Sequence, residues 1–73
     1  MEMRILNSGG DSKHTWDPAD EESTQRAREV FDLCRKGGHA AFRMTASGET
    51  DEIMQEFDPM AGSVLLIPPM AGG

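Results

Sequence analysis

A single amphipathic helix with strand-like segments on both sides of it sets the limits on how this chain folds. Asp17 and Pro18 are a helix-start signal, with Asp17 as the N-cap and Pro18 at the first helical position. The helix is expected to run from about Pro18 to Lys36, because a glycine of Gly37-Gly38 can adopt the left-handed conformation that ends a helix. Its apolar stripe follows the spacing i, i+3, i+4, i+7 and consists of Ala27, Val30, Phe31 and Cys34. A chain with one such stripe needs one sheet to cover it.

Five segments have the alternation or the short apolar run that is typical of strands. They are Met3–Asn7, Ser12–Trp16, His39–Thr45, Thr50–Phe57 and Val64–Ile67. In the fourth segment, Ile53 and Phe57 also fit a helical turn, and we favour a strand with an irregular end. The predicted order is ββαβ(β)β, with two or three strands after the helix. The sequence therefore predicts an α+β single domain over residues 1–67 and an extended tail over residues 68–73.

Length and composition exclude several classes of protein. A chain of 73 residues has a thin core and a net stability of about a few kcal/mol. The net charge of −6 argues against nucleic-acid binding, which needs a basic surface, and favours a basic protein partner. No segment is long and apolar enough for a membrane span or for a signal peptide, so we expect a cytoplasmic protein.

Residues that could bind metal or perform catalysis are present, but not in a pattern that indicates a site. His14, His39 and Cys34 match none of the usual metal-ligand spacings, so no metal site is predicted. As the lone cysteine, Cys34 excludes an internal disulfide, and its place in the apolar stripe predicts a buried, inert thiol. A domain of this size cannot build a deep pocket, so we expect neither a bound cofactor nor enzymatic activity from the chain alone.

An acidic cluster marks the predicted helix start. Its members are Asp17, Asp20, Glu21 and Glu22. Carboxylates stabilise the positive end of a helix, which explains the cluster without any further role. The functional alternative is a docking patch for a basic partner surface.

The last residues combine an apolar strand with a tail that has an unusual composition. Pro68-Pro69 cannot donate to a β ladder and favours an extended path, so the tail should leave the sheet as a semi-rigid arm. Met70 and Ala71 follow, and Met70 has little core to join. Gly72-Gly73 has no side chains, so a terminal carboxylate there could enter a narrow enzyme channel. A frayed segment without function would have the same composition.

The segment Pro68–Gly73 resembles the C-terminus of ubiquitin-like β-grasp proteins, most closely that of the sulfur-carrier subunit of molybdopterin synthase. Residues 57–62 are similar to the turn before the last strand of that family. The resemblance implies a β-grasp-like fold and a partner enzyme that uses ATP to adenylate the Gly73 carboxylate. It implies that Gly72 permits close approach to that enzyme, and that Pro68, Pro69, Met70 and Ala71 contact the partner.

Two functions therefore remain open at the level of sequence. The first is a carrier or modifier whose activated C-terminus serves either sulfur transfer or protein conjugation. The second is a non-catalytic interaction or assembly subunit of a larger complex, such as a small phage or virion accessory protein. In the second case the tail is a docking arm, and Met70 fills a pocket on the assembly neighbour.

Overall fold

The structure has one helix and five strands within the part of the chain that it describes. The computed structural model describes residues 1–7, 9–45 and 47–69. The elements are β1 (Glu2–Asn7), β2 (Gly10–Thr15), α1 (Glu21–Lys36), β3 (Ala40–Met44), β4 (Thr50–Ile53) and β5 (Ser63–Ile67). The predicted α+β fold is confirmed. The segment that begins at Thr50, whose pattern also fitted a helical turn, forms a short strand.

The strands form one mixed sheet in the order β2-β1-β5-β3-β4. β5 lies in the middle, parallel to β1 and antiparallel to β3. The outer pairs, β1 with β2 and β3 with β4, are antiparallel. Parallel pairing of β1 and β5 requires a long crossover, which is provided by the intervening chain with α1. This arrangement is β-grasp-like.

The helix begins later than the sequence signal predicted. Asp20, not Asp17, is the N-cap: its backbone is extended and its side chain accepts a hydrogen bond from the backbone N–H of Glu22. Asp17 instead closes a turn, because its carbonyl oxygen accepts from the N–H of Asp20 and its carboxylate accepts from that of Ala19. Pro18 therefore occupies the turn, where its fixed φ is equally favourable.

The predicted helix stripe faces the sheet. Ala27 and Phe31 are buried, and Val30 and Cys34 are half-buried against the core. The full core consists of Met3, Ile5, Trp16, Ala27, Phe31, Ala41, Met54, Phe57, Val64 and Leu66. Each neighbouring pair of buried strand residues shares a rung of the sheet, such as Met3 with Val64 and Ala41 with Leu66. Paired residues lie on the same face, so the core is the layer between this face and α1.

An aromatic cluster attaches the long connection between β4 and β5 to the helix. Phe57 lies between Phe31 and Trp16, with ring centroids 5.6 and 5.1 Å away. The indole N–H of Trp16 donates to the carbonyl oxygen of Pro59 at 2.9 Å, which satisfies the polar atom of a buried side chain. These contacts hold the connection beneath the helix start and bring the chain to β5.

The more apolar side of β3 faces away from the helix. Ala41 is buried in the core, whereas Phe42 and Met44 lie on the opposite face and are half-buried. Register explains this orientation, because Ala41 pairs with buried Leu66 and Phe42 pairs with Leu65. The sheet therefore has one face covered by α1 and one open face with large apolar side chains.

Two phenylalanines provide a matched test of this assignment. We expect Phe31→Ala to lower the free energy of unfolding by about 3–5 kcal/mol, because the side chain is fully buried and leaves a cavity. A loss of that size removes most or all of the stability of a domain this small. Phe42→Ala should cost clearly less, since Phe42 is half-exposed on the open face. Urea unfolding followed by Trp16 fluorescence measures both, and equal losses would contradict the assignment of faces.

Candidate functional site

The candidate site begins where β5 ends, at the start of the predicted tail. Ile67, the last residue of β5, pairs with Ala40. Pro68 and Pro69 follow, with Pro68 half-buried and Pro69 exposed. We call Pro68 and Pro69 the tail root. Met70, Ala71, Gly72 and Gly73, which carry the rest of the predicted site, lie outside the described residues. The division into a domain over 1–67 and a tail over 68–73 stays a prediction.

The tail root packs against the turn between α1 and β3. Gly38 has φ +99°, and a Cβ atom built on it would lie 3.4 Å from Cγ and 3.5 Å from Cβ of Pro69. The left-handed backbone of the turn favours glycine at this position, and a Cβ atom there would be in van der Waals contact with the proline ring. In the sequence, Gly37-Gly38 indicates only the end of the helix. The signal for the contact with Pro69 is long-range, because it depends on where β5 ends in the sheet.

Hydrogen bonds fix the same turn. The N–H of Gly38 donates to the carbonyl oxygen of Arg35, and the N–H of His39 donates to that of Cys34 at 2.9 Å. The Arg35 guanidinium donates back to the carbonyl oxygen of His39 at 2.8 Å. Two buried atoms, Nε of Arg35 and Nδ1 of His39, have no hydrogen-bond partner within the described residues. The turn beside the tail root is therefore held by backbone hydrogen bonds and by the Arg35 guanidinium.

The open face of the sheet carries a second feature, which we call the open-face row. It is the rung that runs across four strands through Ile53, Phe42, Leu65 and Arg4. Ile53 is 64% exposed, while Phe42 and Leu65 are half-buried by their neighbours. Leu6, Met44 and Ile67 are also half-buried strand residues. Apolar side chains that stay in contact with water on one face are typical of protein-binding surfaces.

Charge is unevenly distributed around this face. On β1 and β2, Arg4 lies 3.7 Å from Asp11 and Lys13 lies 3.4 Å from Glu2, so positive and negative side chains balance. At the opposite edge, two carboxylates share the single guanidinium of Arg43, with Asp51 at 2.9 Å and Glu52 at 3.3 Å. The hydrogen bond that Arg43 donates to Asp51 and the negative charge of Glu52 raise the pKa of Arg43, which stays charged. The β4 edge is therefore net acidic.

The cysteine and the acidic cluster that the sequence offered as candidates make contacts that belong to the fold. Cys34 is half-buried beside the core, and burial raises the pKa of its thiol, as expected for an unreactive cysteine. In the acidic cluster, the Asp17 and Asp20 carboxylates accept backbone N–H groups at the helix start. Within the described residues, no three potential metal-ligating side chains come together. In the same part of the chain, no helix has both the length and the apolar character needed to cross a bilayer.

Comparison of the chain with protein-family models, with curated proteins and with solved structures finds no match.

The contact between Pro69 and Gly38 can be tested with a double-mutant cycle. Gly38→Ala and the control Gly62→Ala should each cost about 1 kcal/mol, because both glycines have positive φ. Only the added methyl group at Gly38 meets Pro69; at Gly62 nothing lies within 4 Å. Gly38→Ala should therefore be coupled to Pro69→Ala by about 0.5 kcal/mol or more, and Gly62→Ala should not. Free energies of unfolding from urea titrations give both couplings, and additivity at Gly38 would rule the contact out.

Proposed function

We propose that this protein is a ubiquitin-like carrier or modifier whose Gly73 carboxylate is activated by a separate adenylating enzyme. The observation that carries the proposal is the position of β5. This strand is held on both sides by β1 and β3, and it leads directly into Pro68-Pro69. The tail root therefore follows the central strand of the sheet. A partner that binds the tail can then pull on it without unfolding the strand to which it is attached.

Each part of the tail has a role in this proposal. The prolines of the tail root restrict the backbone and reduce the entropy lost when the arm enters a channel. Met70 and Ala71 contact the channel wall, and Gly72 permits the close approach. The Gly73 carboxylate attacks the α-phosphorus of ATP and releases pyrophosphate, which yields an acyl-adenylate. A sulfur nucleophile then displaces AMP and leaves a thiocarboxylate or a thioester.

The open-face row supplies the docking surface for this partner. Ile53, Phe42 and Leu65 give a contiguous apolar centre, with the acidic β4 edge beside it. An apolar centre with charge at its rim is the usual anatomy of a protein interface. A partner with an apolar patch and a basic rim fits this surface, in agreement with the net charge of −6.

The proposal requires that Gly73 is the C-terminus of the mature chain, and intact mass spectrometry of the protein from its native host measures this. We expect a species about 16 Da heavier than the unmodified chain, from replacement of one oxygen by sulfur, or a covalent adduct through Gly73. One residue added after Gly73 should abolish the modification without changing the free energy of unfolding. A modified chain that retains the extra residue, or a wild-type chain that never carries a modification, would refute the carrier function.

The open-face row also favours a second candidate function. This is an assembly subunit that binds a neighbour through the same face, without any chemistry at Gly73. An assembly subunit would co-purify with its partner in a stoichiometric complex. One residue added after Gly73 would have no effect on that complex. Met70 then acts as an anchor in a neighbour's pocket, so Met70→Asp should weaken the complex. The two candidates differ at Gly73, whereas both need the open face.

A matched pair of surface substitutions tests the open face itself. Ile53→Lys places a charge in the open-face row, and Leu33→Lys places the same charge on the outer side of α1. Both side chains are largely exposed, at 64% and 72%, so each change should alter the free energy of unfolding by about 0.5 kcal/mol or less. Only Ile53→Lys should reduce co-purification of partners from the native host. Equal retention of partners by both variants would remove the open face from the proposal.

A further inference from the structure

The outer edge of β2 is a free hydrogen-bonding edge. In the described part of the chain, β2 pairs only with β1 and lies at the end of the sheet. The N–H of Trp16 donates to the carbonyl oxygen of Met1. This bond shows which residues of β2 point their backbone groups toward β1. Because alternate residues of a strand point their backbone groups to opposite sides, those of Asp11, Lys13 and Thr15 point away from β1. These groups can accept a further strand.

Two positive side chains lie next to each other at this edge of the sheet, although each has a carboxylate nearby. Lys13 lies directly opposite Arg4 in the register, so two positive charges share one rung. Their carboxylate partners, Glu2 and Asp11, lie only on the diagonals, at 3.4 and 3.7 Å. Like charges directly opposite each other destabilise a strand pair. A carboxylate placed beside Lys13, on its free side, would relieve this repulsion.

We propose that a second copy of this chain pairs antiparallel with the β2 edge, about a two-fold axis at Ser12. In this register Asp11 of each copy lies opposite Lys13 of the other, and both residues present outward backbone groups to each other. The contact thus places a second carboxylate beside Lys13 in each copy. The two sheets join into one continuous sheet with both helices on the same face, because the axis is perpendicular to the sheet.

Charge excludes the competing two-fold registers. An axis at Lys13 keeps as many residue pairs but places Lys13 opposite Lys13, and an axis at Asp11 places Asp11 opposite Asp11. A register shifted by one residue places residues whose backbone groups point toward β1 opposite residues whose groups point away from it. The hydrogen bonds between the two copies are then lost. The axis at Ser12 combines matching backbone groups with opposite charges along the exposed β2 edge.

The net charge of −6 does not prevent this contact. Part of the excess of carboxylates lies on β4, which is at the far edge of the sheet from β2. Repulsion over such distances is largely screened at physiological salt, where the Debye length is about 8 Å. Edge pairing of two short strands buries less than a standard interface, so we expect a weak, reversible dimer.

The experiment is sedimentation equilibrium and ¹H–¹⁵N NMR of the full chain, with protein concentration raised into the millimolar range. We expect a monomer–dimer equilibrium, with concentration-dependent shifts at Asp11, Lys13 and Thr15. Lys13→Glu and Asp11→Lys should each weaken the homodimer by about tenfold or more, because each places like charges opposite each other twice. A mixture of the two single variants should recover dimerisation, since the heterodimer contains two opposite-charge pairs.

This recovery separates the proposed register from a loss of folding, because a misfolded variant is not rescued by a second one. A backbone control is Lys13→Pro, which removes an outward N–H but no hydrogen bond to β1, and it should abolish the dimer while the domain stays folded. The proposal is overturned by a wild-type chain that remains monomeric throughout. It is equally overturned by single variants that dimerise like the wild type, or by a mixture that forms no heterodimer.

Discussion

The pairing of β5 with both β1 and β3 is the contact on which the rest of the fold depends. Without β5, the sheet separates into the hairpins β1–β2 and β3–β4, and an isolated hairpin is at best marginally stable in water. β5 also brings Val64 and Leu66 into the core beneath α1. The entropic cost of closing a loop rises only slowly with its length, so the pairing of β1 with the distant β5 costs little more than a local pairing. The tail root is therefore attached to the strand that completes the domain.

A single helix can cover only one face of a five-stranded sheet. The chain places its fully buried side chains on the face toward α1 and leaves the other face to Phe42, Leu65 and their neighbours. Because the covered layer is thin, half-buried side chains on the open face also contribute to stability. In the proposed function, docking and stability would depend partly on the same side chains, so the exposed Ile53 is a better probe of docking than the half-buried Phe42.

The sequence was sufficient for the class and order of elements, but not for their pairing. Helical spacing predicted the buried face of α1, and Gly37-Gly38 predicted its end at Lys36 correctly. Asp17 and Asp20 both fit an N-cap, and Pro18 suits a turn as well as a helix start, so local chemistry could not decide between them. Alternation in β3 separated Phe42 from Ala41 but could not say which side faces α1, because that depends on pairing with β5.

The candidate site also has a part that the local sequence predicts and a part that depends on strand pairing. Pro68-Pro69 and the glycines after them are visible as a local pattern, and β5 ends at Ile67, directly before the tail root. The contact between Gly38 and Pro69 could not be predicted without the strand order, since these residues meet only when β5 lies beside β3. The open-face row likewise joins residues from four strands. No local pattern in the sequence reports which of them share a rung.

The two edges of the sheet differ in how they resist association. Among the two-fold registers of β4 that match backbone groups, those that keep the most residue pairs place Asp51 opposite Asp51 or Glu52 opposite Glu52 of a second copy. Repeated like charge of this kind protects an edge strand. A register shift between Arg43 and Met44 further interrupts the ladder beside β4. β2 has neither protection, because Asp11 and Lys13 alternate in sign along a regular edge. Association of this domain through its sheet is thereby directed to β2, while the open face and the tail root stay accessible to other partners.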